Sequence, residues 1–156
     1  MSEPVGYMER SRLYYAAHGY ERPYVWAHFD EVPFTPLKKP LAQSTVTVIT
    51  TTALYDRKPG EVREVASFKT ANPPDRLYAN DLSWDKRATH MDDRETYLPI
   101  RALEDCAATG RIGAVAARFH CAATDYSIRR TLEVDAPELL ARAREDAADI
   151  ALMVPV

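Results

Sequence analysis

Only five of the 156 residues are glycine, and neither GxGxxG nor GxxxxGK[ST] occurs. A loop that cradles phosphate at the start of a helix is therefore not indicated. The lone GxxG, Gly110-Arg-Ile-Gly113, has the form of an RNA-gripping loop. That loop joins two helices, whereas this one joins a helical pattern to a strand pattern, so a helix stop and tight turn is the simpler reading. Cysteine is scarce too. Cys106 and Cys121 stand 15 residues apart, which gives neither a CxxC redox pair nor a disulfide framework and fits a reducing compartment. No block of like charge occurs and the net charge is -3, so the basic footprint of a nucleic-acid binder is missing. No apolar run approaches the roughly 18 residues of a membrane span. The start, MSEPVGYMERSRLYY, carries an early Glu and no apolar centre, unlike a secretory signal. The expected location is the cytoplasm.

What is present suits one globular unit. Hydrophobic residues make up 46% and charged residues 28%, enough apolar material for a core without a metal or disulfide staple. Residues 1–44 are rich in Tyr and Pro and include Trp26. Residues 5–18 predict a helix stopped by Gly19. Pro23, Pro33, Pro36 and Pro40 keep the remainder extended, as an arm wrapping a domain at 45–156. The segment STVTVITTTAL (44–54) is dense in β-branched residues and predicts a strand. REVASF (63–68) predicts a short second one. The stretch 77–99 has no sustained period. It is too polar for core and too aromatic for disorder, a mixture common in functional loops.

After it the pattern turns regular. Ile100, Leu103, Cys106 and Ala107 mark one face of a helix opened by Pro99 and closed by Gly110, which makes Cys106 a core residue. RIGAVAARFH (111–120) predicts a strand. DAPELLARAREDAAD (135–149) predicts a helix with Asp135 as N-cap and Glu138 three residues on. Its apolar stripe is Leu139, Leu140, Ala143 and Ala147, with Glu138–Arg142 and Arg142–Asp146 pairs on the solvent side. DIALMVPV (149–156) is an apolar run without alternation, as in a strand covered on both faces. Together these predict an α/β fold: a mostly parallel open sheet with flanking helices and an extended aromatic, proline-rich N-terminal arm.

Two polar groups are candidates for chemistry. THMDDRE (89–95) holds His90, Asp92 and Asp93, and a histidine oriented by a carboxylate can act as a base or bind a ligand. No second ligand group at diagnostic spacing accompanies it, which argues against a metal. A solvated loop with local ion pairs is the alternative. Arg118 and His120 fall at the end of the 111–120 strand, where a parallel sheet opens its ligand crevice. The alternative is a histidine that only packs. Cys121, beside it, would be an activated thiolate if His120 were protonated, or simply a small hydrophobe. His18 and His28 sit among aromatics in the arm, where packing is the expected role.

Four blocks carry a family resemblance. YMERSRLYYAAHGYERPYVWAHFDEVPFTPLKKPLAQSTVTVITT, DLSWDKRATHMDDRETYLPI, GRIGAVAARFH and EDAADIALMVPV span essentially the whole chain. They resemble the selenoprotein B subunit of glycine, sarcosine and betaine reductases, related to D-proline reductase. The resemblance implies an oxidoreductase that reductively cleaves a C–N bond of a small amine, working with protein partner subunits or by self-association. It implies no separate cofactor, since the family's redox group is a side chain. In that family the strand resembling DIALMVPV runs directly into a Cys- or selenocysteine-Pro-Val-Cys segment. That nucleophile has no counterpart here, and neither Cys106 nor Cys121 takes its place. A chain truncated in translation at an in-frame UGA is the expectation that follows. His120 and His90 would then help protonate the leaving amine or hold the substrate's carboxylate, with Arg118, Asp92 and Asp93 binding substrate. A non-catalytic partner subunit and a small-molecule-binding domain of the same fold are the alternatives.

Overall fold

A computed structural model describes residues 6–20, 22, 28–58, 61, 63–80, 86–122 and 126–156. Pro23, Trp26 and the Ser83–Trp84 part of the second block lie outside the described residues. The chain divides into a unit of residues 1–34 and a unit of residues 35–156. Residues 35–44, read from the sequence as part of the arm, thus belong with the sheet.

In the first unit, helix α1 covers Tyr7–Ala17, close to the predicted span, and Gly19 follows it. His18 stacks on Tyr14 with ring centroids 4.3 Å apart and bonds the Tyr14 carbonyl. His28 pairs instead with Asp30 at 3.2 Å, exposed to solvent.

The second unit is a five-stranded sheet. Strand β1 is Thr45–Thr50, β2 Val65–Lys69, β3 Ala114–Val115, β4 Arg118–Ala122 and β5 Ile150–Val154. β1 is central. Val46 pairs with both Val115 of β3 and Ile150 of β5, and Ile49 with both His120 of β4 and Met153 of β5. β3 and β4 therefore flank one side of β1 and β5 the other, all parallel. β2 lies outside β4 and runs antiparallel, with Ser67 opposite His120. The mostly parallel α/β sheet is as the sequence predicts. No described helix is long and apolar enough to cross a membrane.

Helix α2, Ile100–Ala108, follows β2 and precedes β3 and ends at Gly110 with φ +71°, a backbone state that costs glycine little. The predicted 111–120 strand is broken in two. Ala116 donates to Val46, while the Ala117 carbonyl accepts from Thr70. At its start Gly113 presses on Gln43, where a Cβ would lie 2.5 Å from the backbone, so only glycine fits.

The last helix begins earlier than its sequence signature. Helix α3, Ile128–Arg130, is capped by Ser127, whose hydroxyl accepts from Arg130 N. It continues through a wide π-turn, Thr131–Asp135, into α4, Ala136–Glu145. Asp135 has helical dihedrals and caps nothing. Pro137 explains the wide turn: it has no N–H to give the carbonyl four residues back. Of the predicted stripe, Leu139 and Ala143 are buried. Leu140 is exposed and Ala147 lies beyond the helix with φ +52°.

Strand alternation assigns side chains to two faces. Val48, Phe68, Phe119, Cys121 and Val154 point to the face where α2 packs, joined by Leu77, Met91, Tyr97 and Leu98. The 77–99 stretch is thus partly core, contrary to its polar composition. It is pinned by Ala53 and Tyr78, which exchange both backbone hydrogen bonds at 2.7 Å, and by Tyr97, whose hydroxyl donates to Met91 O. On the other face Ile49 and Val65 meet Leu139 of α4. Strand β5 lies at the edge of the sheet among the described residues. Among the described residues nothing pairs with its outer side, and Leu152 and Met153 are exposed. Its start is fixed by Asp149, whose carboxylate accepts from Thr45 N and pairs with Lys39 at 2.7 Å. Those contacts pull its pKa below the ordinary range.

Candidate functional site

Winding along the sheet reverses at β1. From β1 the chain passes through β2, β3 and β4, all on one side of β1, then crosses from β4 to β5 on the other. In open α/β sheets the ligand crevice forms outside the carboxyl ends of strands at such a reversal. Here that edge holds Thr50–Thr52 after β1 and Val154–Val156 after β5. Val156 N donates to Thr51 Oγ1 at 2.9 Å and ties the two together.

Beside this edge, a cavity of about 230 Å³ opens on the α2 side. Thr52, Tyr55, Arg57, Glu64, Phe68 and Cys121 are among its lining residues. Cys121 Sγ lies 3.8 Å from Thr52 Oγ1. Burial pushes the thiol up to about 11, and the Thr52 hydrogen bond offsets only part of that. Cys121 therefore stays a thiol at neutral pH. It cannot be activated by His120, because the two side chains project from opposite faces of β4. Cys106, on α2, is half-buried rather than in the core.

His120 is not at a strand end. It is the middle residue of β4, fully buried on the face under α4. Its Nδ1 is 2.8 Å from Ser67 Oγ, and its Nε2 is 3.5 Å from Asp146 Oδ2. Arg142 Nη1 donates to the same Ser67 oxygen at 2.8 Å. The Ser67 hydroxyl thus sits between the Arg142 guanidinium and the His120 ring, and Nε2, which makes no hydrogen bond, faces Asp146. Burial lowers the imidazole's pKa; Asp146 opposes this, while Arg118 and Arg142 add to it. The ring is thus neutral. Arg118 donates from Nε to both Asp146 oxygens at 2.7 and 3.0 Å and reaches Glu145 at 3.0 Å. Arg142 also pairs with Glu138. The predicted Arg142–Asp146 pair on the wet side does not form. Asp146 turns inward to Arg118 and His120, and Arg142 reaches over β2. The connectivity is that of a Ser–His–Asp relay, but neither Ser67 nor His120 lines the cavity. Its evident work is to clamp α4 onto β2 and β4.

His90 is 70% exposed. Its Nδ1 accepts from Asp92 N at 3.3 Å, and Arg76 joins Asp92 at 3.4 Å. The Asp93 carboxylate accepts from Glu95 N at 3.1 Å, capping the short turn Arg94–Thr96. Met91, between these residues, packs on the α2 face. His90 and His120 therefore belong to opposite faces, and none of their hydrogen-bond or ion-pair partners is shared. Arg118 and His120 do meet, through Asp146. Among the described residues no group of three His, Cys, Asp or Glu could hold a metal ion.

The sequence marked Asp146 only as a solvent-side partner of Arg142 and gave Ser67, Thr52 and Arg57 no role. Ser67 carried a signal, since it alternates with Val65 on the strand face opposite Phe68. Asp146 carried only its i,i+4 spacing from Arg142, which pointed to the wrong partner, and Arg57 carried none. No family model, curated protein or solved structure matches this chain.

Proposed function

We propose that this chain is a subunit or portion of an oxidoreductase of the glycine, sarcosine, betaine and D-proline reductase type. The chemistry would be reductive C–N cleavage. A thiolate or selenolate attacks the carbon that carries the amine. The C–N electron pair leaves with nitrogen, which takes up a proton. The C–S or C–Se bond so formed breaks when a second thiolate attacks that sulfur or selenium. The carbon leaves with the bonding pair and takes up a proton. The resulting disulfide or selenenyl sulfide is reduced by a dithiol, which ends as a disulfide. The observation that carries the reading is the juxtaposition at the carboxyl edge: the end of β5, the end of β1 and the cavity beside them. In the resembling family the nucleophile directly follows the strand similar to β5. A group supplied there, by this gene or by a partner, would stand at the edge where α/β sheets bind ligands.

The histidines take different parts from those first expected. His120, fully buried, supports the sheet and does not touch substrate. Cys121, held as a thiol, is not the nucleophile. The test is the DNA after the Val156 codon, followed by an amine-release assay of the encoded product. An in-frame TGA with Pro-Val-Cys codons after it, and amine release driven by a dithiol, is the expected result. A TAA or TAG codon, with no amine release in the presence of co-encoded proteins, would overturn the reading.

A further inference from the structure

We infer that α4 is a hinged cover on the sheet, released when the buried His120 takes up a proton. Both ends of the helix carry a weak point. Upstream is the π-turn Thr131–Asp135, where the helical ladder is interrupted ahead of Pro137. Downstream, Ala147 N donates to Arg144 O at 3.0 Å and Ala148 N to Ala143 O at 2.9 Å. This is a Schellman ending, whose left-handed position is usually glycine. Ala147 fills it at φ +52°, and its Cβ strains the closure.

Between these hinges little apolar surface holds the helix. Leu139 meets Ile49 and Val65, Ala143 is buried, and Leu140 is exposed. The other fastenings are polar and surround the His120 ring. From β2, Ser67 Oγ takes both Arg142 Nη1 and His120 Nδ1 at 2.8 Å. From β4, Arg118 holds Asp146 and Glu145. On α4 itself Glu138 is engaged by Arg142. Ile49 of β1, the strand partner of His120, brings no charge, and Lys69, opposite Arg118, is exposed at the end of β2. An imidazolium donates from both nitrogens. Nδ1 and Arg142 would then be two cations on one hydroxyl. Nε2, buried without a hydrogen-bond partner, would compete with Arg118 for Asp146, 3.5 Å away. A buried charge with no carboxylate of its own favours solvent, and α4 is what covers the ring. Burial, above all, already lowers the ring's pKa, whereas the open state restores the ordinary value of about 6.5. Opening is therefore indifferent to pH above about 6.5 and gains up to about tenfold per pH unit below it. This device is independent of the reaction proposed for the carboxyl edge.

The experiment is native-state amide hydrogen exchange on the whole chain, from about pH 7.5 to about pH 5.5, with and without low urea. Residues 139–145 should be less protected than Val48 and Ile49 of β1, and their exchange should respond weakly to urea, as local opening does. Their protection should fall up to about tenfold over the last pH unit. His120→Gln should remove that fall, and Ala147→Gly should raise α4 protection by a similar factor at every pH. Equal protection and equal urea response in α4 and β1 would overturn the inference, because the helix would then leave only with the whole sheet. So would a pH-independent α4, the same fall in a folded His120→Gln chain, or unchanged α4 protection in Ala147→Gly. If His120→Gln does not fold, the pH profile of the unaltered chain and Ala147→Gly decide.

Discussion

The two faces of the sheet are built on opposite principles. The α2 face is an apolar core of Val48, Leu77, Leu98 and Phe119, with a polar-walled cavity at its carboxyl edge. The α4 face has a small apolar cluster, Ile49, Val65 and Leu139, beside a mesh of charges around His120. Polarity alone therefore does not mark the binding side. In the α4 mesh nearly every charge is answered by another, as Arg118 is by Asp146 and Glu145. The cavity instead holds Arg57 without an answering carboxylate.

The contrast can be broken most strongly from the apolar side. Phe119, fully buried and 5.8 Å from the Phe68 ring, should cost about 3–5 kcal/mol when changed to Ala, read as a fall in the urea midpoint. Next is alkali. Cys121 has a folded pKa raised to about 11 from 9.0, so its contribution is complete below pH 9 and lost as pH rises through 11. The loss should total about 2–3 kcal/mol, and Cys121→Ala should abolish that pH-dependent part. Asp146→Asn opens the mesh by leaving Arg118 and His120 unanswered. With Arg118 partly exposed, the expected cost is about 2 kcal/mol. His120 has a lowered folded pKa, so its contribution is present above pH 6.5 and lost as pH falls below it. His120→Gln should flatten that acid slope in a denaturation series. His90→Ala, at an exposed loop position, should change stability by less than about 0.5 kcal/mol.

What was legible in the sequence was local. The β-branched run 45–50 and the Pro99–Gly110 frame of α2 announce themselves through neighbouring residues. Strand β5 was legible as a strand, but an apolar run does not say whether it is central or at an edge. Non-local facts stayed hidden. Ser67, His120 and Asp146 converge only because β2 pairs with β4 and α4 crosses both. Asp135 looked like a cap because the π-turn before Pro137 has no sequence period. The core role of Leu77, Met91 and Leu98 was masked by irregular spacing among polar residues. His120 was misjudged by two residues: β4 runs on to Ala122, which turns a strand end into a strand centre.

The division of labour between the faces is tested most directly by backbone amide shifts in Asp146→Asn, measured at a temperature where the variant is fully folded. The α4 mesh is a clamp on β2 and β4, so the shift changes should concentrate in α4, at Ser67 and at His120, while Thr52, Leu54 and Arg57 beside the cavity keep theirs. Equal changes on both faces would contradict the account.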